Sequence, residues 1–293
     1  MDKQIRLGAH MSVAGGAHKA LQRGKELGCT VVQVFTKNAN QWNAKPISAE
    51  DADLFKSTCA DAGYEFADLV AHDSYLINLA SPDDELWEKS IQAFGHELDR
   101  CASLCIPGLV THAGAHMGSG EEAGLARIAA ALDRVLTERS GQEVMVLLET
   151  TAGQGTSLCY AFEHLGSVFE MLSSESQQRV GVCWDTCHLL AAGIDFTDEQ
   201  KYERMVESFD RIVGLDRLRA IHCNDSKKGL GSRVDRHEHI GKGALGLEPF
   251  RFIMNDPRLA HLPKILETPK GAAGEETAND TMNLTALRDL VRG

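Results

Sequence analysis

The chain has 293 residues, a formal net charge of −12 and 43% hydrophobic residues. That size and composition suit a soluble globular protein able to bury a sizeable core, and no apolar run approaches the roughly 20 residues that cross a bilayer. The acidic balance argues against a polyanion partner on overall charge alone, since such partners usually meet a basic surface.

In chain order, short apolar runs rich in β-branched residues alternate with stretches of helical spacing. The first run is "IRLGAH", residues 5–10, followed by the helical "GGAHKALQRGKELG". "TVVQVF" and then "ISAEDADLFKSTCADAG" repeat the arrangement, and "EFADLVAH" opens a third unit. In that unit Ser81 reads as a helix cap with Pro82 at the first helical position and acids behind it, which suits the positive end of a helix. "GLVTHAG", "VMVLLET", "RVGVCWD", "LRAIHCN" and "PKILET" supply five more strand candidates, and "EETANDTMNLTALRDLVR" reads as a closing helix. Eight strand–helix units in under 300 residues predict a single-domain α/β fold spanning 1–293, a (β/α)₈ TIM barrel, with a doubly wound open sheet as the alternative. One long insertion, "SKKGLGSRVDRHEHIGKGALG", separates the seventh strand from its helix; irregular loops of this length are often functional.

The opening stretch "MDKQIRLGAHMS" lacks the apolar centre and cleavage site of a secretory signal. The eight cysteines are therefore expected to be reduced, buried thiols in a cytoplasmic protein.

The strand ends carry an unusual set of side chains. His72 closes the third run, His112 the fourth, Glu149 the fifth, Asp185 the sixth, His222 the seventh and Glu267 the eighth. In a barrel of this class the carboxyl ends of the strands form the active-site face, so these six residues are expected at one mouth. His188 follows Asp185 by three positions at a helix start, and Asp235-x-His237 in the long insertion sends alternate side chains the same way. Five imidazoles and four carboxylates suit zinc or manganese in a hydrolytic site, and nine ligands match three ions with one bridging carboxylate.

Within "WDTCH" two other readings compete. Asp185 could cap the following helix, and Cys187 could be a nucleophile. Neighbours on a helix point about 100 degrees apart, so His188 is badly placed to activate that thiol. The metal reading is preferred. Among the other histidines, His10, His116 and His239 lie nearest the expected mouth as candidate phosphate contacts. His18, His96, His164 and His261 read as surface or packing residues.

The ordered set "GAHMSVAGG", "VFTKNANQW", "SYLINLA", "LLETTAGQG", "WDTCH", "IHCNDSK", "SRVDRHEHIGKGALG" and "LETP" resembles the endonuclease IV family along essentially the whole chain. The resemblance implies a TIM barrel with three zinc ions, manganese replacing part of the zinc in some members. Transferred by position, His72 and His112 would hold the first ion and Glu149 would bridge it to the second. Asp185, His222 and Glu267 would complete the second, and His188, Asp235 and His237 would hold the third. Glu149 and Glu267 would be the catalytic carboxylates.

The implied reaction is hydrolysis of the phosphodiester 5′ to an apurinic/apyrimidinic site in double-stranded DNA. It leaves a 3′-hydroxyl and a 5′-deoxyribose phosphate, and blocked 3′ ends would also be cleaned. Zinc can lower the pKa of bound water to about 7, which provides hydroxide at neutral pH. Asn38, Gln41, Trp42, Tyr75 and Leu76 would meet the DNA, and a monomer without membrane attachment is implied. Asp73 and Ser74 after His72, Ala113 after His112, and Asn40 before "QW" depart from frequent family residues. The absence of a cation at Asn40 predicts weaker, strongly salt-sensitive DNA binding rather than lost chemistry. The alternative is a xylose-isomerase-like sugar isomerase or epimerase on the same barrel, in which Asp235 and His237 would have no ligand role.

Overall fold

Eight parallel strands close on themselves, which removes the open-sheet alternative. The computed structural model describes residues 5–271 and 277–291. The strands are β1 (Leu7–His10), β2 (Val31–Phe35), β3 (Leu69–His72), β4 (Gly108–Thr111), β5 (Met145–Glu149), β6 (Val180–Asp185) and β7 (Leu218–His222). A short antiparallel pair, β8 (Asp225–Ser226) and β9 (His237–Glu238), stands outside the barrel, and β10 (Lys264–Leu266) bridges β7 and β1. Around them run α1 (Ala17–Glu26), α2 (Ala49–Ala62), α3 (Asp84–Ser103), α4 (Glu121–Thr137), α5 (Phe162–Met171), α6 (Ser174–Gln177), α7 (Thr186–Ala192), α8 (Glu199–Ile212), α9 (Glu248–Asn255) and α10 (Ala278–Arg288). None of the described helices is long and apolar enough to cross a membrane.

Each of the eight expected strands is found, but two boundaries move. Phe66–Asp68 is a 3₁₀ turn, held by a reciprocal cap between Glu65 and Asp68, so β3 starts only at Leu69. Helix α3 starts at Asp84, because the Asp83 carboxylate accepts the Leu86 N–H at 2.7 Å. Ser81 instead accepts the N–H of Asp83 at 3.2 Å, one step before that cap. Glu275 and Glu276, at the start of the expected closing helix, lie outside the described residues. The cysteines are free thiols, and all but Cys105 are buried.

The core has two shells. A large one lies between strands and helices and includes Phe94, Trp184, Phe209 and Phe250. A small one fills the barrel itself: Val31, Val70, Val110, Leu147, Cys183, Ala220 and Ile265. Because side chains alternate along a strand, residues two positions further on face inward again, one layer nearer the mouth. That next layer is Gln33, His72, His112, Glu149, Asp185, His222 and Glu267, with His10 in the same relation to Gly8 on β1. The apolar plug thus forms the floor of a polar layer to which all eight barrel strands contribute.

The long insertion is ordered. Asp225, fully buried, accepts backbone N–H groups from Gly243 and Leu245, both at 2.9 Å, and so closes the segment at its base. The β8–β9 pairing then directs the stretch around His237 back over the mouth.

Gly8 sets how closely β1 and β2 approach inside the barrel. A Cβ there would lie 1.7 Å from the carbonyl oxygen of Val31, a backbone atom that cannot swing aside. Gly8→Ala is therefore expected to destabilise the fold by about 1–3 kcal/mol, read as a lowered urea midpoint at unchanged m-value. An unaltered midpoint would show that the strands separate there at no cost.

Candidate metal centre

All nine residues singled out as ligands converge on the mouth. The Glu149 carboxylate is at the middle, fully buried. His72 Nε2 and His112 Nε2 lie 3.1 and 3.0 Å from its Oε2, and His222 Nδ1 and His188 Nδ1 lie 3.1 and 3.3 Å from its Oε1. On the second side, His222 Nδ1 is 3.3 Å from Glu267 Oε2 and 4.0 Å from Asp185 Oδ2. On the third, His188 Nε2 is 3.2 Å from Asp235 Oδ2 and 3.4 Å from His237 Nε2, which is 3.5 Å from Asp235 Oδ1. His237 Nε2 also lies 3.5 Å from Asp185 Oδ2.

Local structure positions these groups. Asp185 is the last residue of β6 and the N-cap of α7, its Oδ1 accepting the His188 N–H at 2.8 Å. The cap and the ligand reading coexist, since Oδ2 faces His222 and His237. Asp73 and Ser74, two of the departures from frequent family residues, act as ties. Burial pushes the Asp73 carboxyl up to about 7, and Thr111 Oγ1 donates to it at 2.6 Å, beneath His72. Ser74 Oγ donates to the carbonyl of Ala39 at 2.6 Å, joining the β3 loop to the β2 loop.

The pocket demands positive charge. Burial opposes ionisation of Glu149, but attraction to His112 and His222 and hydrogen bonds from His112 and His188 hold its carboxyl well below the usual range. Burial likewise opposes ionisation of Glu267, which His222 and a hydrogen bond from His10 reverse. For His72, burial favours the neutral ring, yet the hydrogen bond and charge of Glu149 raise it to about 9. In the protein alone, imidazolium protons supply the charge that a cation would provide.

The donor set fits divalent metal. Among the described residues, four groups of three or more ligand residues have donor atoms within 4.8 Å of one another: His72/His112/Glu149, Glu149/Asp185/His222/Glu267, Asp185/His188/His237 and Cys187/Asp235/His237. Most of the separations above are 3.0–3.5 Å. Tetrahedral zinc with bonds of roughly 2.0–2.1 Å places neighbouring ligand atoms about 3.3 Å apart. Glu149 and Asp185 each belong to two groups, as bridging carboxylates would. The Cys187 thiol is buried, pushed up to about 12 mainly by that burial, and 3.6 Å from the carbonyl of Arg236, which does not make a nucleophile.

The residues expected at a DNA face sit on rim loops. Tyr75 is 62% exposed, edge-on to Phe35 and close to His72. It stands between two clefts of about 290 and 520 Å³, the first also lined by Leu76 and the second by Asn38 and Asn40. Gln41 is exposed and its carbonyl accepts Lys37 Nζ at 2.7 Å, while Lys37 is itself paired with buried Glu97 at 2.9 Å. Trp42 is half-buried, with Lys89 Nζ 4.1 Å from its ring centre. His116 accepts the N–H groups of Gly118 and Gly120 through Nδ1, and His239 Nδ1 lies 3.1 Å from Asn283 Nδ2, so both have local structural partners.

Three participants escaped the reading of the sequence. Gln33 joins His222 and Glu267 (Nε2 at 2.8 Å from its Oε1; Oε1 at 2.5 Å from its Nε2). Asn224 donates to Asp185 Oδ2 at 2.6 Å and accepts the Glu267 N–H at 2.8 Å. Thr150 Oγ1 accepts the Asp185 N–H at 2.8 Å. The signal for Gln33 was present: a lone amide at an inward position of the otherwise apolar "VVQVF".

Residues 21–288 match the family described as a xylose isomerase-like TIM barrel. The chain is 56% identical to a probable endonuclease 4 of Chloroflexus aurantiacus, with 98% of this chain and 99% of that protein aligned. It is 53% identical to a probable endonuclease 4 of Geobacter sulfurreducens, over 98% of this chain and 94% of that one. Among solved structures, endonuclease IV from Thermus thermophilus superposes with a TM-score of 0.82 at 32% identity, covering 97% of this chain and 99% of that chain. A D-tagatose 3-epimerase-like protein shares the barrel, at TM-score 0.70 and 15% identity, over 98% of each chain. Full-length identity above one half to two such relatives, together with the superposition, establishes that this chain belongs to the endonuclease IV family, whose members are nucleases.

Proposed function

We propose that the protein is a zinc-dependent endonuclease that cuts double-stranded DNA on the 5′ side of abasic sites and also removes blocking groups from 3′ ends. The reading is carried by the convergence of nine nitrogen and oxygen ligand residues at one barrel mouth, with separations that suit tetrahedral zinc. Three ions are proposed, with manganese able to replace part of the zinc. His72, His112 and Glu149 would hold one; Glu149, Asp185, His222 and Glu267 the second; His188, Asp235 and His237 the third. When bound, such ions activate water near neutral pH and offset charge on phosphate oxygens.

The chain's own groups then have defined tasks. Glu149 and Glu267, kept ionised, accept hydrogen bonds from the attacking water and orient it toward phosphorus. As the new P–O bond forms, the P–O3′ bond breaks; the 3′ oxygen leaves as the hydroxyl end, and the deoxyribose keeps the 5′ phosphate. Tyr75 and Leu76, between and beside the clefts, are positioned to fill the stack when an abasic nucleotide swings out, a step made easier by the missing base. Asn38, Gln41 and Trp42 would line the same DNA face. We place the protein in the cytoplasm, acting on DNA as a monomer.

Cations beside the mouth support DNA as the substrate. Away from the mouth several cations are neutralised by acids: Arg127 pairs with Asp84, Arg134 with Glu88, Arg139 with Asp99, and Arg258 with Glu203. On the β8–β9 segment, Lys227, Lys228, Arg233, Arg236 and Lys242 are exposed, and none is in an ion pair among the described residues. Exposed cations on a segment folded over the mouth favour the approach of a polyanion there. The epimerase reading explains neither these cations nor the meeting of Asp235 and His237 with His188.

Three outcomes are expected. Elemental analysis of the purified protein should find close to three zinc or zinc-plus-manganese ions per chain; a value near one would favour a sugar isomerase. A duplex with one tetrahydrofuran abasic analogue should be nicked on its 5′ side, and Glu149→Gln should slow that reaction by at least about 100-fold. An intact duplex alongside turnover of a ketose would overturn the proposal. Replacing Lys227 and Lys228 by Ala should weaken binding to all duplexes alike. It should also lower the log–log salt slope by about 0.9 for each phosphate no longer neutralised, as read by fluorescence anisotropy.

A further inference from the structure

The orientation of a ligating imidazole depends on what its other nitrogen touches. For three histidines of the cluster that partner is a backbone carbonyl. Asp73 O lies 3.1 Å from His72 Nδ1, Thr150 O 2.8 Å from His188 Nδ1, and Glu267 O 3.1 Å from His237 Nδ1. A carbonyl only accepts, so each ring carries a proton on Nδ1 and turns Nε2 toward the cluster. No side-chain substitution can remove those acceptors.

His222 is turned the other way. Its Nδ1 faces Glu149 Oε1 at 3.1 Å and Glu267 Oε2 at 3.3 Å, while Nε2 lies 2.8 Å from Gln33 Oε1. Its orientation is therefore set by a side chain. Gln33 is fully buried on β2, and its Nε2 lies 2.5 Å from Glu267 Oε1 and 3.0 Å from His10 Nδ1. An ionised carboxylate only accepts, so the amide must present its nitrogen to Glu267 and its oxygen to His222; the flipped amide would oppose two acceptors. His10 Nδ1 also lies 3.2 Å from Glu267 Oε1, so the three side chains meet at one point. The Cys183 thiol also approaches His222, but thiols are weak acceptors.

We propose that Gln33 is a positioning residue for the metal centre. Its amide keeps the His222 proton on Nε2, which leaves Nδ1 free to ligate, and ties one Glu267 oxygen so that the other faces the same ion. The proposal rests on the metal reading above and adds a determinant of it. An amide suits the position because it offers an acceptor and a donor at once, whereas a carboxylate would add another negative charge to a pocket that already holds Glu149, Asp185, Asp235 and Glu267.

The test compares the full-length wild-type chain with Gln33→Met, of similar size but without either polar group, and with Gln33→Glu, which retains the acceptor alone. Zinc affinity is read by competition with a chromogenic chelator, and folding by melting of the metal-free proteins. One zinc ion should be held 10- to 100-fold more weakly in Gln33→Met, with the others retained, and Gln33→Glu should also bind it more weakly. Long-range ¹⁵N–¹H spectra of zinc-loaded, histidine-labelled wild type should show His222 protonated on Nε2. Wild-type affinity in both variants, or a His222 proton on Nδ1, would overturn the proposal, and the spectrum decides it even if Gln33→Met does not fold. A wild-type chain that takes up no zinc would overturn the metal reading, and this proposal with it.

Discussion

Glu149, Asp185, Asp235 and Glu267 bring four carboxylates to one barrel mouth, the first two fully buried, and like charges so close repel strongly. Much of the surrounding structure answers that repulsion. Five imidazoles interleave with the carboxylates, and the nearby negative charge holds His72, His188 and His222 above the ordinary histidine range despite burial. A pocket that draws protons onto buried imidazoles also draws divalent cations, and the two compete for the same lone pairs.

The barrel makes such a concentration possible. Alternation along parallel strands stacks an apolar plug beneath a polar layer, so every strand contributes one inward side chain at the height of the site. The plug gives the ligands rigid bases, and a surrounding set of hydrogen bonds aims them: Thr150 and Asn224 hold Asp185, Asn224 holds the backbone of Glu267, and Gln33 spans His222 and Glu267. Backbone carbonyls orient His72, His188 and His237, and the amide of Gln33 orients His222.

A D-tagatose 3-epimerase-like protein has the same barrel, so the fold alone does not select a substrate. In this chain the outer part of the site comes from the segment after β7. Buried Asp225 folds it back over the mouth, where it adds Asp235 and His237 to the cluster and a set of unpaired cations beside it. One segment thus supplies two of the nine candidate ligands and a row of exposed cations.

The alternation of strand and helix, the strand-end ligands and the Asp-x-His pair were legible in the amino-acid order, because they depend on periods of two and about 3.6 and on residue type. The double use of Asp185, as helix cap and candidate ligand, could be anticipated from its place before "TCH". Closure into a barrel could not be read locally, since an open doubly wound sheet uses the same elements; only pairing of β10 with β1 decides it. Nor could the start of α3, where Asp83 prevailed over Ser81 for the cap, or the part played by Gln33. Its partners, His10, His222 and Glu267, lie 23, 189 and 234 residues away. An amide's role is set by which acceptor and donor surround it, and those neighbours exist only once the strands have closed.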